Sequence, residues 1–148
     1  MAKKMSKSNH KKLNTELLID GENIGTKKTD AIMNAVESQG ELYEGKVYGR
    51  QKDVHTRGWS DKAREYGIKD VRMCGGPGKD KIDNKIKKDA RRLINQHKNV
   101  DIVCIATNDG GYVDIVKELR SIGKRVVVIG ERQASALLRE SCNQFVEI

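Results

Sequence analysis

Three short, uninterrupted apolar runs constrain this chain more than anything else in it: Leu17 to Ile19, Ile102 to Ala106, and Val126 to Ile129. Each is bounded by polar or turn residues, the pattern of a strand buried on both faces, as in a parallel sheet. The stretches between them carry helical spacing instead. Ile32, Ala35 and Val36 precede Gly40, with Thr26 or Thr29 as the expected cap. The strongest stripe is Ile82, Ile86, Ala90, Leu93 and Ile94, within a helix expected from Lys81 to about His97. Another is Tyr112, Ile115, Val116 and Leu119, ending near Gly123. Weaker signals predict a strand over Leu42 to Tyr48, a polar loop over Arg50 to Thr56, a helix from Arg57 to Tyr66 and a strand from Ile68 to Cys74. A short helix is expected around Ala134 to Glu140, then an edge strand from Phe145 to Ile148.

Alternating strand and helix patterns argue for an α/β fold, a three-layer α/β/α sandwich with a mainly parallel sheet of about five strands. With 148 residues, one domain is expected. Its bounds are read as 16–148, behind a basic tail over 1–15. That tail holds five lysines and no acid, out of a net charge of +8; it reads equally as a polyanion attractor or a solubilising segment. Cys74, Cys104 and Cys142 are scattered, which argues against a disulfide framework or a zinc site and fits a reducing cytoplasm. The basic start lacks an apolar h-region, and no run is long enough to span a bilayer.

The strand runs also say where chemistry could sit. Asp20 ends the first run and Asp109 follows the fourth strand, so in a parallel sheet both leave by the carboxyl edge, where open α/β sheets bind ligands. Asp83 falls in the first turn of the basic helix, after the glycine-rich break Gly75 to Gly78, and can face the same edge. Three crowded carboxylates repel one another and raise at least one pKa. Mg²⁺ or Mn²⁺ would relieve that conflict, because hard cations take carboxylate and water oxygens. The chemistry that follows is phosphodiester hydrolysis by an activated water. Each acid also has a plainer reading: Asp20 before Gly21 as a turn, Asp109 as a helix cap, and Asp83 as a favourable charge at a helix start.

Positive charge flanks this edge. Lys79, Lys81, Lys85, Lys88 and Arg92 lie on or before the basic helix, and Arg50, Lys52, His55 and Arg57 make a second cluster. Such charge binds phosphates with strong salt dependence and little sequence preference. The plainer reading is a solvated helix face. Trp59 could stack on a base, but packing is the favoured reading. GGPGKD lacks P-loop spacing, and no GxGxxG follows the first strand, which disfavours a dinucleotide enzyme. A phosphohydrolase using Asp20 as nucleophile would want a second acid two residues on, where Glu22 stands.

In order, LLIDGENIG, KVYG, KIDNKIKKDA and IATNDGGYVDIVKELRSIGKRVVVIG resemble the NYN domain family of PIN-like ribonucleases, over roughly Leu17 to Gly130. The resemblance implies a PIN-like Rossmannoid fold and a metal-dependent nuclease acting on RNA, expected to be single-stranded and cut endonucleolytically. It assigns Asp20, Asp83 and Asp109 as catalytic metal ligands, with Asp89 as the helix's second acid. It also matches Asn23 and Thr107 to positions able to orient an acid or touch substrate. Lys79, Lys81, Lys85 and Arg50 would bind the phosphates, with Glu22 a weaker candidate. The chain departs from the family at Gly111, where a further acid is usual, and at Asn108, where glycine is usual. Asp114 is the nearest substitute. That departure keeps open a one-metal enzyme, a weakened enzyme, or a non-catalytic RNA-binding or scaffold module.

Overall fold

The structure, a computed structural model, describes residues 13–51, 58–74, 81–95 and 99–148. The strands are β1 (Asn14–Asp20), β2 (Glu41–Arg50), β3 (Lys69–Met73), β4 (Ile102–Ala106), β5 (Arg125–Gly130) and β6 (Gln144–Glu147). The helices are α1 (Thr29–Gln39), α2 (Trp59–Tyr66), α3 (Lys81–Asn95), α4 (Val113–Ser121) and α5 (Ala136–Ser141). One-turn 3₁₀ segments, Thr26–Lys28 and Gly110–Tyr112, precede α1 and α4.

All pairings are parallel, in the order β3-β2-β1-β4-β5-β6. The sheet has six strands where about five were expected, and the expected C-terminal edge strand pairs with β5 over Gln144–Glu147. The chain winds outward from β1 through β2 to β3, returns to β4 beside β1, and winds the other way. Right-handed crossovers that reverse direction change face, and the core divides accordingly. Leu17, Ile19, Ile32, Val36, Val47, Trp59 and Ala63 pack on one side with α1 and α2. Leu18, Tyr48, Ile82, Ile86, Leu93, Ile115, Leu119 and Leu138 pack on the other with α3, α4 and α5. The reversal between β1 and β4 is the topological switch point of the sheet, and ligands of such sheets usually bind at the carboxyl ends of the strands there.

Some local expectations change. Neither Thr26 nor Thr29 caps α1 with its side chain; the Thr29 hydroxyl donates back to the Thr26 carbonyl at 2.6 Å. Arg50, expected in a loop, is the last residue of β2 and pairs with Met73. Strand β1 begins at Asn14, so Asn14 and Thr15 belong to the sheet. Trp59 is 1% exposed and donates its indole N–H to the Ile24 carbonyl at 3.1 Å, so it is core rather than a stacking platform. The GGPGKD break, Lys52, His55, Arg57 and Lys79 lie outside the described residues. Among the described residues no helix is long and apolar enough to cross a membrane.

Candidate active site at the carboxyl edge of the sheet

Side chains alternate along β1, so Asp20 shares a face with Leu18 and is delivered to the side where α3 and α4 pack. Its position depends on a tight turn. Gly21 donates its N–H to the Tyr48 carbonyl at 3.0 Å, and a Cβ on Gly21 would lie 2.5 Å from that same oxygen. Only glycine allows β1 to turn so close to the end of β2.

Asp20 is 1% exposed. Its Oδ2 accepts from Asn23 Nδ2 at 2.5 Å and Thr107 Oγ1 at 3.1 Å, and Tyr112 Oη lies 3.4 Å away. Its Oδ1 is buried with no hydrogen-bond partner. Asp83, in the first turn of α3, meets the same phenol: Tyr112 Oη lies 2.9 Å from Asp83 Oδ1. Asp109 follows β4, and its Oδ1 accepts the Gly111 N–H at 2.9 Å, so it also caps the 3₁₀ turn. The Asp109 N–H donates to Thr107 Oγ1 at 3.2 Å, which links Asp109 to Asp20 through one hydroxyl. Asp109 Oδ1 and Asp83 Oδ2 both flank Gly111, 3.4 and 3.7 Å from where its Cβ would stand. The three acids are thus brought together from β1, α3 and the loop after β4.

The electrostatics agree with that crowding. Burial pushes the Asp20 carboxyl above its usual range, against the opposing bonds from Asn23, Thr107 and Tyr112. Asp83 is raised first by burial and further by the charges of Asp20 and Asp109, while Tyr112 and Lys87 oppose the shift. The Tyr112 phenol is raised by burial and by Asp20 and Asp83, so it remains a protonated donor.

Hard carboxylate oxygens suit a Mg²⁺ or Mn²⁺ ion, and the unpartnered Asp20 Oδ1 is a buried acceptor such an ion would satisfy. Yet among the described residues no group of three His, Cys, Asp or Glu side chains is arranged to hold a metal ion. The acids are gathered without being closed around one point. An ion here would take one or two carboxylates directly and complete its shell with water and phosphate, as Mg²⁺ commonly does.

The other expected residues fall into place differently. Asn23 is exposed and turned back onto Asp20. Thr107 is fully buried, and its hydroxyl is engaged by Asp20 and the Asp109 N–H. Glu22, the weaker candidate, pairs with Arg50 Nε at 3.1 Å, which ties that predicted phosphate ligand to an acid. Asp89 stands apart: 6% exposed, it accepts from the Tyr48 hydroxyl at 2.7 Å and pairs with Lys85 at 3.2 Å. Burial alone would raise its pKa, but Tyr48, Lys85 and Lys46 together hold it below the usual carboxylate range. Asp114 pairs with Lys87 at 3.2 Å and does not replace the acid that Gly111 lacks. Lys81 donates to the Cys74 carbonyl at 2.9 Å, and Lys88 is exposed. Cys104 is buried, and burial pushes its thiol up to about 12, an inert state.

Sequence reasoning assigned Tyr112 to the core and missed its hydroxyl. The one available signal was a polar-tipped aromatic three residues past Asp109.

The model of the NYN domain family matches residues 14–148. The chain belongs to the NYN domain family. NYN proteins are in general nucleases, RNA is the substrate the family suggests, and its nucleases typically depend on a divalent metal. No curated protein matches the sequence. Among solved structures, this NYN chain is similar to a protein of unknown function from Vibrio parahaemolyticus RIMD 2210633, with TM-score 0.74 and 23% identity over 93% of each chain. It is also similar to an oxidoreductase from Sinorhizobium meliloti, with TM-score 0.52 and 16% identity over 93% of this chain and 37% of that one. Both likenesses concern the fold alone.

Proposed function

We propose that this NYN domain is a Mg²⁺- or Mn²⁺-dependent ribonuclease that hydrolyses phosphodiester bonds within single-stranded RNA. The observation that carries the reading is the meeting of Asp20, Asp83 and Asp109 at the carboxyl ends of β1 and β4, with Asp20 Oδ1 buried and unpartnered. Asp20 would hold the cation through Oδ1. Asp83 Oδ2 and Asp109 would complete its surroundings directly or through water. A cation so held supplies polarisation of a phosphoryl oxygen and lowers the pKa of a water. Asn23 and Thr107 fix the Asp20 carboxylate by occupying Oδ2. Lys81 and Lys88 on α3 supply positive potential for the RNA backbone, while Lys85 and Arg50 reach it only as partners of Asp89 and Glu22.

A second reading, a non-catalytic RNA-binding module, is favoured by the missing carboxylate at Gly111 and by the absence of a three-ligand cluster among the described residues. One experiment separates the two. The full chain is incubated with end-labelled single-stranded RNA in Mg²⁺, in Mn²⁺ and in EDTA, beside Asp109→Asn. Metal-dependent internal cleavage that EDTA and the variant both abolish is the expected result. Salt-sensitive RNA binding with no turnover in either metal would replace the enzyme with the binder.

A further inference from the structure

Tyr112 occupies the place of an ordinary core aromatic, fully buried against α3 and α4 in the same cluster as Ile82, Ile86 and Ile115. Packing alone would be served equally well by phenylalanine. The hydroxyl is what the core does not need, and it lies between two acids, 2.9 Å from Asp83 Oδ1 and 3.4 Å from Asp20 Oδ2. A phenol carries one proton, so it donates to one carboxylate at a time. The shorter distance assigns that proton to Asp83. Lys87, one helical turn beyond Asp83, sets its ammonium 5.9 Å from the centre of the Tyr112 ring and pairs with Asp114 on α4. The ring is therefore held by α3 and α4 together, and its hydroxyl has a fixed position.

The consequence concerns direction. With Oδ1 engaged by the phenol, the other oxygen of Asp83 turns toward Gly111, where Asp109 Oδ1 also stands. Asp20 and Asp83 are like charges that otherwise push each other's side chains away. We propose that Tyr112 is a positioning residue: its hydroxyl fixes Asp83 beside Asp20 and turns Asp83 Oδ2 toward Gly111, where Asp109 Oδ1 also stands, setting the geometry in which the acids receive a divalent cation. This rests on the ribonuclease reading, because the acids are taken to be its metal-binding groups.

The test is Tyr112→Phe in the full chain, which keeps the ring and removes only the hydroxyl. Three quantities are read: Mn²⁺ affinity by calorimetry without RNA, kcat and KM on single-stranded RNA, and Tm in EDTA. The expected result is Mn²⁺ binding weakened about 10- to 100-fold, as for other groups that orient metal ligands. The drop in kcat should be at least about tenfold with KM for RNA within twofold, and Tm should stay within a few degrees. Should Tm drop sharply, a double-mutant cycle with Asp83→Asn decides. No further loss of Mn²⁺ affinity on adding Tyr112→Phe to Asp83→Asn supports the role, whereas an equal loss in both backgrounds makes the effect structural and overturns it. A wild type that neither binds Mn²⁺ nor cleaves RNA fails the ribonuclease reading itself, and the positioning role with it. A wild type that does both, beside an unchanged Tyr112→Phe, overturns the positioning role alone.

Discussion

Asp20 is a carboxylate in a place where folding alone would not put one. It is buried, and one of its oxygens has no hydrogen-bond partner; an unsatisfied buried acceptor costs about 1–3 kcal/mol. Asp20→Asn should therefore abolish metal-dependent cleavage while leaving Tm unchanged or higher, a loss of function without loss of fold that differential scanning calorimetry can check. Glu16 makes a related prediction at the other end of β1. It is 4% exposed, and burial, with Glu44 and Asp89 adding to it against Lys46 and Lys69, raises its pKa to about 7 from 4.5. The folded state then binds this proton more tightly than the unfolded state. The contribution of Glu16 to stability is fully present below about pH 4.5 and is lost as pH rises through about 7. Urea denaturation should find the protein more stable at pH 5 than at pH 8, and Glu16→Gln should remove at most about 3 kcal/mol of that difference. Asp20 and Asp109 were legible because a carboxylate ending an apolar run breaks the pattern. The Tyr112 hydroxyl was hidden because it leaves the pattern of its helix unchanged. The pairing of Lys85 with Asp89 was written in their four-residue spacing, but that of Arg50 with Glu22 joins the ends of two strands and has no local signal.

The elements differ in how they hold the site. Strand β1 is central, paired with β2 and β4, and carries Asp20 rigidly. Helix α3 brings Asp83 only because its apolar stripe seats on the sheet: Ile82, Ile86, Ala90 and Leu93 are buried. Ile86→Ala should cost about 2–5 kcal/mol by denaturant unfolding, as full truncation of a buried isoleucine does. The ion pair between Arg91 and Glu118, 2.7 Å long but exposed, links α3 to α4. Arg91→Ala should shift stability by less than about 1 kcal/mol, because solvent screens such a pair. A larger loss there than at Ile86 would invert this view of what seats the helix. Helix α3 and strands β1, β4 and β5 were readable because burial on one face, or on both, writes itself into apolar spacing. Strand β2 was read short at both ends, since its first residues are partly exposed and its last, Arg50, is charged and only half-buried.

At the scale of the whole molecule, topology does the gathering. Asp20, Asp83 and Asp109 are far apart in sequence, and they meet because the winding direction reverses between β1 and β4. Alternation of strand and helix was enough to expect a parallel sheet and the edge at which its acids emerge. It could not say how closely they approach, since that is set by Gly21, Thr107 and Tyr112, each a contact between remote parts of the chain. The central claim is that this cluster of acids holds a divalent cation through Asp20, and anomalous scattering from Mn²⁺-soaked crystals tests it most directly. A peak bonded to Asp20 Oδ1, with Asp83 or Asp109 in its direct or water-bridged shell, is the predicted result. Well-ordered acids without manganese at millimolar soaking concentration, or manganese bound only elsewhere, would contradict it.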